Sequence, residues 1–421
     1  MKLDRNTLIF IGSAIGVFII IQLLISFGIL NPFWTTILRL GAVLAIVSLG
    51  LNLIYGFNGQ FSLGQWGFYA IGAYSAADVT YRFYQLHNAS GMTVLTFVLL
   101  FAAVGIWLAR LAVSKIRGLD PLSALTLYLV TTIALGYGGA WVGRSLGGPV
   151  TSLLTALPEQ VGVNIVFFIS IFLGGIAAAE ISFLFGLPIL TLGSDYFGIA
   201  TLGFTVIVKV LLDNSDSLLG FVEMKGARGM IGIPKVTTWF WVVLFVVVSV
   251  ILVRNLLNST YGRAIKSVRE DELAAKAMGI NVADFKIMTF VIGSFLAGIA
   301  GALYAHINGF LHPDTFNFIK SFDPMIIVVF GGLGSVTGTV AAAFAFSLVL
   351  EGFLRLWLPE GFETWRFVVY PVLLIIMMLL KPNGIFGGYE IPFLRDLLPF
   401  TKKVKKNGVA ANDSQKPEVI S

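Results

Sequence analysis

The chain has 421 residues, of which 57% are hydrophobic and 12% are charged, and its formal net charge is +6. A soluble protein this apolar could not cover its surface with polar groups, so the composition predicts a polytopic membrane protein. The absence of cysteine excludes disulfides and thiolate metal sites. The positive charge needs no nucleic acid to explain it, because much of it lies in loops and in the C-terminal tail.

Apolar runs of about 18 to 25 residues predict the membrane spans. The first run follows Lys2 and Arg5 and is too long for a signal-peptide core, so we interpret it as a retained anchor. The predicted spans are Leu8–Leu30, Thr35–Tyr55, Phe61–Tyr81, Met92–Ala112, Leu122–Val142, Val163–Leu184, Tyr196–Leu212, Trp239–Leu257, Phe285–Ile307 and Phe367–Leu380. With a broken region at Phe322–Leu358, this predicts an all-α polytopic fold of about ten or eleven transmembrane helices.

The same pattern divides the chain into three parts. Residues 1–34 form an N-terminal anchor helix, residues 35–400 a transmembrane domain, and residues 401–421 a polar, disordered tail. Lys and Arg residues concentrate around Arg110, in the loop 258–285 and in the tail. Because cytoplasmic loops are rich in these residues, the loop 258–285 and both termini are predicted to be cytoplasmic.

The first glycine-rich stretch, YGFNGQFSLGQWGFYAIGAY, covers Tyr55–Tyr74. Asn58, Ser62, Gly64 and Gln65 alternate there with further glycines. Neutral polar side chains beside a helix break can bind a small polar solute, which predicts a substrate pathway at these residues. A tight interfacial turn with glycines that pack between helices explains the pattern equally well.

The loop 258–285 contains a polar segment that predicts a helix of about three turns, Val268–Met278. Ser267 and Glu270 match a capping box, and Glu270, Asp271 and Glu272 crowd the positive end of the helix dipole. Gly279 stands where a left-handed residue would end the helix, and Asn281 followed by Asp284 suggests a second cap. Such a helix either transmits a push from a soluble partner or simply lies at the lipid headgroups.

The span that follows carries a row of small residues at every fourth position, Gly293, Ala297, Gly301 and Ala305. Small residues let helix backbones approach closely in a membrane, so this row predicts tight helix packing.

The region Phe322–Leu358 has room for one full helix and one short half-helix. The corner between them falls at Gly331, Gly332, Gly334 and Ser335. A re-entrant half-helix with its break at membrane depth would line a pathway, whereas a simple kink or a cytoplasmic loop would not. Two interrupted segments, one early and one late, are typical of transporters.

Other motifs exclude several functions. The chain has no Gly-Lys pair and therefore no phosphate-binding loop of the GxxxxGK[ST] kind, so we do not expect ATP binding by that route. No catalytic signature appears in the sequence either, so we do not expect an enzyme. Asp78, Glu180, Lys209 and Glu351 are the charges predicted inside spans. They form no ladder for proton or sodium coupling, which disfavours an ion-driven mechanism.

With these motifs in place, the sequence resembles the LivM-like permease subunits of branched-chain amino-acid ABC importers. The resemblance covers most of the chain and rests on GFNGQFSLGQWGFYAIGAY, GSDYFGIATLGF (Gly193 to Phe204), the block Tyr261–Gly352 and KPNGIFG (Lys381 to Gly387). It implies that Ala274, Ala275 and Gly279, in an AAxxxG pattern, belong to a cytoplasmic coupling helix that docks on ATPase subunits. The neighbouring Arg269, Glu270, Asp271 and Glu272 would contribute to the same contact.

The resemblance also implies the partners and the location. These are a second related permease, two cytoplasmic ATPase subunits, an extracytoplasmic substrate-binding protein and membrane lipid, with the chain in a bacterial inner membrane. No cofactor is expected, because ATP is used by the partner subunits. Three features depart from the family pattern: Val206 replaces an expected acidic residue, KGARGMIGIP (Lys225 to Pro234) replaces a glycine-rich stretch, and Met92–Leu157 is long. These departures leave the substrate open among neutral amino acids, urea, amides and aromatic acids, and an ion-coupled secondary transporter or a channel remains the rival interpretation.

Overall fold

The computed structural model describes residues 5–115, 120–190, 194–217 and 222–357, together with residues 372, 375–376, 379–381 and 384–387. In the described part, eight helices are long and apolar enough to cross a membrane, which confirms an all-α polytopic membrane protein. The predicted span Phe367–Leu380 lies mostly outside the described residues, and the tail 401–421 lies wholly outside them. The helices are α1 (Arg5–Ser26), α2 (Pro32–Leu51), α3 (Gln65–Leu86), α4 (Ser90–Lys115), α5 (Pro121–Thr155), α6 (Glu159–Ile189), α7 (Ser194–Asp213), α8 (Trp239–Asn258), α9 (Thr260–Glu270), α10 (Glu272–Ala277), α11 (Val282–Asn308), α12 (Phe322–Gly331), α13 (Val336–Phe346) and α14 (Leu354–Trp357).

The core is built around α11, which packs against α2, α3 and α6. Gly72 of α3, Gly174 of α6 and Gly298 of α11 meet at one crossing. A methyl group added at Gly298 would lie 2.6 Å from the Gly174 carbonyl oxygen, and one added at Gly174 would lie 2.7 Å from the Gly72 carbonyl oxygen. The three backbones are therefore in direct contact, an approach that only glycine allows.

The pair α4 and α5 lies at the edge of this core. At 35 residues, α5 is longer than the predicted span Leu122–Val142, because the helix continues through Arg144 and Pro149. Glycines again permit the contact: a methyl group at Gly105 of α4 would lie 2.9 Å from the Thr131 carbonyl oxygen of α5. The long Met92–Leu157 region thus contains two long helices that pack against each other.

The two ends of α11 carry different structures. Its first residue follows the α9–α10 hairpin, and its last residue precedes β2 (Phe310–Leu311), which pairs antiparallel with β1 (Met230–Ile231). A 27-residue helix is about 40 Å long, so the hairpin and the small sheet lie at opposite ends of the molecule.

After β2 the chain makes two 3-10 turns, Pro313–Phe316 and Phe318–Ser321, before α12 begins. The first turn packs beside α3, since Trp66 Nε1 donates to the Thr315 carbonyl oxygen over 2.9 Å. The helix α12 has only 10 residues, whereas α13, a π-helical segment (Ser347–Phe353) and α14 continue one another. A short half-helix followed by a full-length one confirms the architecture predicted for this region.

Candidate functional site

The first helix break follows α2. The helix widens into a π-helical turn at Asn52–Phe57, and residues 58–64 are non-helical before α3 begins at Gln65. Gly59 takes a left-handed φ of 77°, which allows the chain to leave the helix. The Gln60 amide still donates to the Ile54 carbonyl oxygen over 3.0 Å, so the turn closes on itself.

The second break separates α12 from α13. Gly332 and Gly334 have φ values of 109° and 83°, which a side chain would rarely adopt. Ser335 then caps α13, with its hydroxyl accepting from the Gly338 amide over 3.0 Å. The break at the glycine cluster is therefore confirmed.

The two breaks are joined by the side chain of Asn52. Its Oδ1 accepts from the Gly334 amide over 3.0 Å, and its Nδ2 donates to the Ser335 carbonyl oxygen over 2.9 Å and to Thr339 Oγ1 over 2.8 Å. A methyl group at Gly56 would lie 2.7 Å from the Gly334 nitrogen. Two segments about 280 residues apart in sequence thus form one contact, held by one fully buried amide.

The predicted pathway residues separate into two groups in the structure. Gly334 and Ser335 bond to the π-helical turn, whereas Gly332 packs beside Gly384, and Gly331 packs against α13, where an added methyl group would lie 2.5 Å from the Gly338 carbonyl oxygen.

The front group faces α7 and α11 instead. Asn58 Nδ2 donates to Thr289 Oγ1 over 2.8 Å, and Gly64 packs against Thr201. Ser62 accepts from the Gly64 amide over 3.3 Å. Gln65 is 1% exposed, and neither atom of its amide has a hydrogen-bond partner within the described residues.

Sequence reasoning missed Asn52 and the threonines that hold the first break. The Thr201 hydroxyl accepts from the Leu63 amide over 3.0 Å, and the Thr205 hydroxyl donates to the Leu63 carbonyl oxygen over 3.3 Å. A polar residue inside an apolar run is a sequence signal that could have identified Asn52. Threonines are too common in helices to stand out.

Three of the four charges predicted inside spans are paired near the end of the molecule that carries the small sheet. Asp78 pairs with Arg82 over 2.9 Å, and Glu351 lies 3.8 Å from Lys320. Lys209 lies 3.0 Å from Asp314, and this hydrogen bond lowers the pKa of the Asp314 carboxyl. Of these four charges, Glu180 is the one with a buried side-chain oxygen that has no hydrogen-bond partner within the described residues.

At the opposite end, the predicted single helix Val268–Met278 is wrong. Ser267 is not a cap: it lies inside α9, which begins after Ser259, and its hydroxyl donates to the Ala264 carbonyl oxygen over 2.8 Å. The chain breaks at Asp271, whose φ of −157° is extended. Because an earlier serine already caps the helix, Ser267 and Glu270 have no free helix end to cap.

Asp271 is the residue that starts the second helix. Its Oδ1 accepts from the Leu273 and Ala274 amides over 2.8 and 3.0 Å. Gly279 has the predicted left-handed φ, 81°, and the amides of Gly279 and Ile280 bond back into α10 in a Schellman motif, which confirms the predicted end of the helix.

Asn281 stands at the N-cap of α11 as predicted, but its side chain makes no cap bond and donates to Asp284 Oδ2 over 2.9 Å instead.

The two helices bury one face and expose the other. Ala275 is 3% exposed and packs with Val268 and Val282 in a small cluster of its own. Glu272 forms an ion pair with Lys286 of α11. Glu270, Asp271 and Ala274 are exposed, and so are two large apolar side chains, Leu273 at 77% and Met278 at 82%. Arg269 is exposed as well, and its guanidinium donates to the Gly56 carbonyl oxygen.

The small-residue row of α11 lies entirely in the core. Gly293 packs on α2, where an added methyl group would lie 2.6 Å from the Gly50 carbonyl oxygen, and Gly301 packs on α3 beside Ala73. Ala297 and Ala305 are fully buried.

Known proteins resemble this chain over most of its length. A family model described as branched-chain amino acid transport system / permease component matches residues 33–378. The high-affinity branched-chain amino acid transport system permease protein LivM of Escherichia coli (strain K12) is 29% identical over 315 residues, 67% of this chain and 67% of that protein. LivM of Salmonella typhimurium is 30% identical over 287 residues, 60% of this chain and 63% of that protein. The permease protein LivH of Escherichia coli (strain K12) is 24% identical over 352 residues, 84% of this chain and 94% of that protein. No solved structure matches the chain.

The spans and the paired helix breaks define a multi-pass α-helical membrane protein whose interior is arranged as in a transporter. The chain belongs to the branched-chain amino acid transport system permease family, since that family's model matches most of it.

Proposed function

We propose that this chain is the membrane-spanning permease subunit of an ATP-driven importer for branched-chain or other neutral amino acids. It forms half of the translocation pathway, and cytoplasmic ATPase subunits drive it. The observation that carries the proposal is the position of α10: its exposed apolar side chains, Leu273 and Met278, lie at the same end of the molecule as the contact between the two helix breaks.

The exposed surface of α10 is suited to a protein partner. Two large apolar side chains, each more than three-quarters exposed, stand beside the carboxylates of Glu270 and Asp271 on a hairpin of only two short helices. Apolar anchors with a charged rim are the usual composition of a protein interface. Arg263, Arg254 and Lys286 lie in or beside the hairpin, which supports a cytoplasmic orientation for this end.

The first break supplies the chemistry for a neutral solute. Asn58, Ser62 and Gln65 are neutral, and each is no more than 2% exposed, so the site is closed in this conformation. The N-terminus of α3 has no side-chain cap, and the unpartnered Gln65 amide stands at its first residue. A substrate carboxylate suits the positive end of a helix, and an ammonium group suits free carbonyl oxygens, so a zwitterion needs no fixed charge there.

The resemblance to both LivM and LivH relatives supports a second related permease as the other half of the pathway. ATP is bound by the ATPase subunits and not by this chain, which lacks a phosphate-binding loop. An extracytoplasmic binding protein would deliver substrate at the end that carries β1 and β2, in the inner membrane of a bacterium.

The test is reconstitution with the second permease and the ATPase subunits, addition of the substrate-binding protein, and uptake of labelled leucine, urea and amides into vesicles. We expect leucine uptake that requires ATP and does not respond to an imposed proton or sodium gradient. Gradient-driven uptake by the purified chain alone would instead establish a secondary transporter. Uptake of urea or amides without uptake of leucine would show that the substrate is not an amino acid.

Docking is tested separately with exposed residues. Gly279→Trp would strain the left-handed residue that ends α10, and Ala275→Arg would disrupt the buried cluster of the hairpin, so Leu273→Arg and Met278→Arg are the sharper variants. Ile231→Arg is the matched control, since Ile231 is 57% exposed at the opposite end of the molecule. We expect the α10 variants to lose ATPase co-purification and the control to keep it; retained co-purification in both α10 variants contradicts the docking surface.

A further inference from the structure

Two basic side chains of α9 lie against the first helix break. Lys266 and Arg269 are three residues apart and therefore share one face of the helix. Lys266 Nζ lies 5.8 Å from the centre of the Phe57 ring, within the range of a cation–π contact. Arg269 Nη1 donates to the carbonyl oxygen of Gly56. Arg269, which the sequence analysis assigned to the ATPase contact, therefore bonds to the first helix break while it remains exposed.

The acceptor of the Arg269 hydrogen bond is a carbonyl at the end of a helix. Gly56 lies in the last turn of the π-helical segment, just before the chain becomes non-helical. Carbonyl groups in the last turn of a helix lack partners further along the same helix, and a positive charge is favoured there. Arg269 thus supplies a charge-assisted donor at a point where the backbone needs one.

The same guanidinium also reaches the second break. A methyl group added at Gly334 would lie 3.2 Å from Arg269 Nη1 and 3.5 Å from the Gly56 carbonyl oxygen. On its other side, a methyl group added at Gly59 would lie 3.4 Å from Arg269 Cγ. Glycine therefore leaves room for the arginine in both breaks, and Arg269 stands where α9 and the two breaks meet.

We propose that Arg269 is a positioning residue that fixes α9 to the contact between the two helix breaks, so that displacement of the α9–α10 hairpin moves the break at Gly56. This inference rests on the proposed function. Arg269 would touch neither ATP nor substrate. It would decide how much of the hairpin's motion reaches the pathway, whereas the exposed face of α10 decides whether the ATPase binds.

The first experiment separates ATPase binding from transport. Arg269→Gln keeps a hydrogen-bonding side chain but removes the charge, and Arg263→Gln is the matched control, because Arg263 donates to Thr260 within its own helix. In the reconstituted complex, we expect Arg269→Gln to keep ATPase co-purification and ATP hydrolysis. Leucine taken up per ATP should fall by about ten-fold, the effect of losing one hydrogen bond to a charged group. A ratio equal to that of wild type overturns the proposal.

A disulfide in place of the arginine hydrogen bond should restore the uptake per ATP. The Cβ position at Gly59 lies 3.7 Å from Arg269 Cβ, within the range of a disulfide, and the chain has no other cysteine. In the double variant Gly59→Cys, Arg269→Cys, we expect uptake per ATP to recover on oxidation and to fall by about ten-fold on reduction. Gly59→Cys alone is the control: the strain of a side chain at this left-handed φ is the same under both conditions, so its uptake per ATP should not respond to oxidation. Equally low ratios in the oxidised and reduced double variant contradict a rigid connection.

A measurement on the isolated subunit does not depend on the ATPase. Hydrogen exchange of residues 57–60 should accelerate by about ten-fold in Arg269→Gln and stay unchanged in Arg263→Gln, because the break loses its connection to α9. Unchanged exchange in Arg269→Gln overturns the inference whatever the transport result. If the wild-type complex shows no ATP-dependent uptake, the proposed function fails, and the exchange measurement still decides the role of Arg269.

Discussion

The crossing of α3, α6 and α11 gives the most direct test of the fold. In Gly298→Ala, the new methyl group would lie 2.6 Å from the Gly174 carbonyl oxygen, 2.7 Å from Ala178 Cβ and 2.9 Å from Gly175 Cα. Ordinary contacts begin near 3.4 Å, and two of these three atoms are backbone, so α6 must move as a unit. Overpacking of this kind costs about 1–3 kcal/mol, whereas alanine gains only about 0.5–1 kcal/mol over glycine inside a helix.

The expected net loss is therefore about 1–2 kcal/mol, which lowers the ratio of folded to unfolded protein by about 5- to 30-fold. The assay is denaturant-induced unfolding in detergent micelles, followed by tryptophan fluorescence. Gly203→Ala on α7 is the control, because an added methyl group there meets no atom within 4 Å, and it should be neutral or slightly stabilising. If Gly298→Ala proves as stable as Gly203→Ala, the close approach of the three backbones is refuted.

Three further predictions test other parts of the molecule. Asn52→Ala removes the acceptor of the Gly334 amide and the donor to Ser335 and Thr339 in the second break, so the free energy of unfolding should fall by about 1–3 kcal/mol in the same assay, and an unchanged value contradicts the bridge. Asp271→Ala removes the cap of α10, worth about 1 kcal/mol, and should speed hydrogen exchange of its first amides several-fold, whereas Asp271→Asn should not. The pKa of Asp314 is lowered by Lys209, so this ion pair contributes stability above the unfolded pKa and loses it as pH falls through the lowered folded pKa. The melting temperatures of wild type and Asp314→Asn should therefore converge between about pH 5 and pH 2; a constant difference contradicts the pairing.

Apolar run length predicts most of the spans, because about 20 apolar residues in one helix must be buried or face lipid whatever their neighbours are. It fails at the ends of α5, where Arg144 and Pro149 interrupt the apolar pattern without ending the helix. Polar residues near a helix end can still reach water, so run length marks the membrane core and not the helix boundary.

The local motifs of the hairpin show a different limit. Ser267 and Glu270 satisfy the rule for a capping box, yet α9 already begins after Ser259, and Asp271 caps the helix that follows. Both caps are compatible with the sequence, and the choice depends on where the preceding helix starts. That start is marked by Ser259, whose hydroxyl accepts from the Gly262 amide, and Gly262 leaves room for the Leu256 and Leu257 carbonyl oxygens, where an added methyl group would lie 2.4 Å from each.

The contact between the two breaks was predictable only in part. Glycines mark each break, because a left-handed residue is needed to leave a helix. Their partner, Asn52, forms its bonds with residues about 280 positions away, and nothing in the local pattern of either segment specifies that pairing. Arg269 illustrates the same point, since its place in a charged loop suggested a surface role while its guanidinium bonds to Gly56.

The break at Asp271 changes how the hairpin can transmit motion. A single rigid helix would deliver one displacement to one place, whereas here the two short helices make different contacts. Arg269 connects α9 to the break, and an ion pair connects Glu272 of α10 to α11. The buried cluster at Ala275 joins α9, α10 and α11, so a load on the exposed face of α10 reaches α11 and α9 together.

The first turns of α11 also contact the first helix break. Thr289 bonds to Asn58 in the first break, and Gly293 packs on Gly50 of α2, so α11 cannot tilt at this end without carrying the break along. Arg269 and α11 therefore contact the first helix break from two sides, so the break can change position only when both move together. Under the proposed function, the break would move when α9 and α10 are displaced together, as they would be by a partner that covers the exposed face of the hairpin.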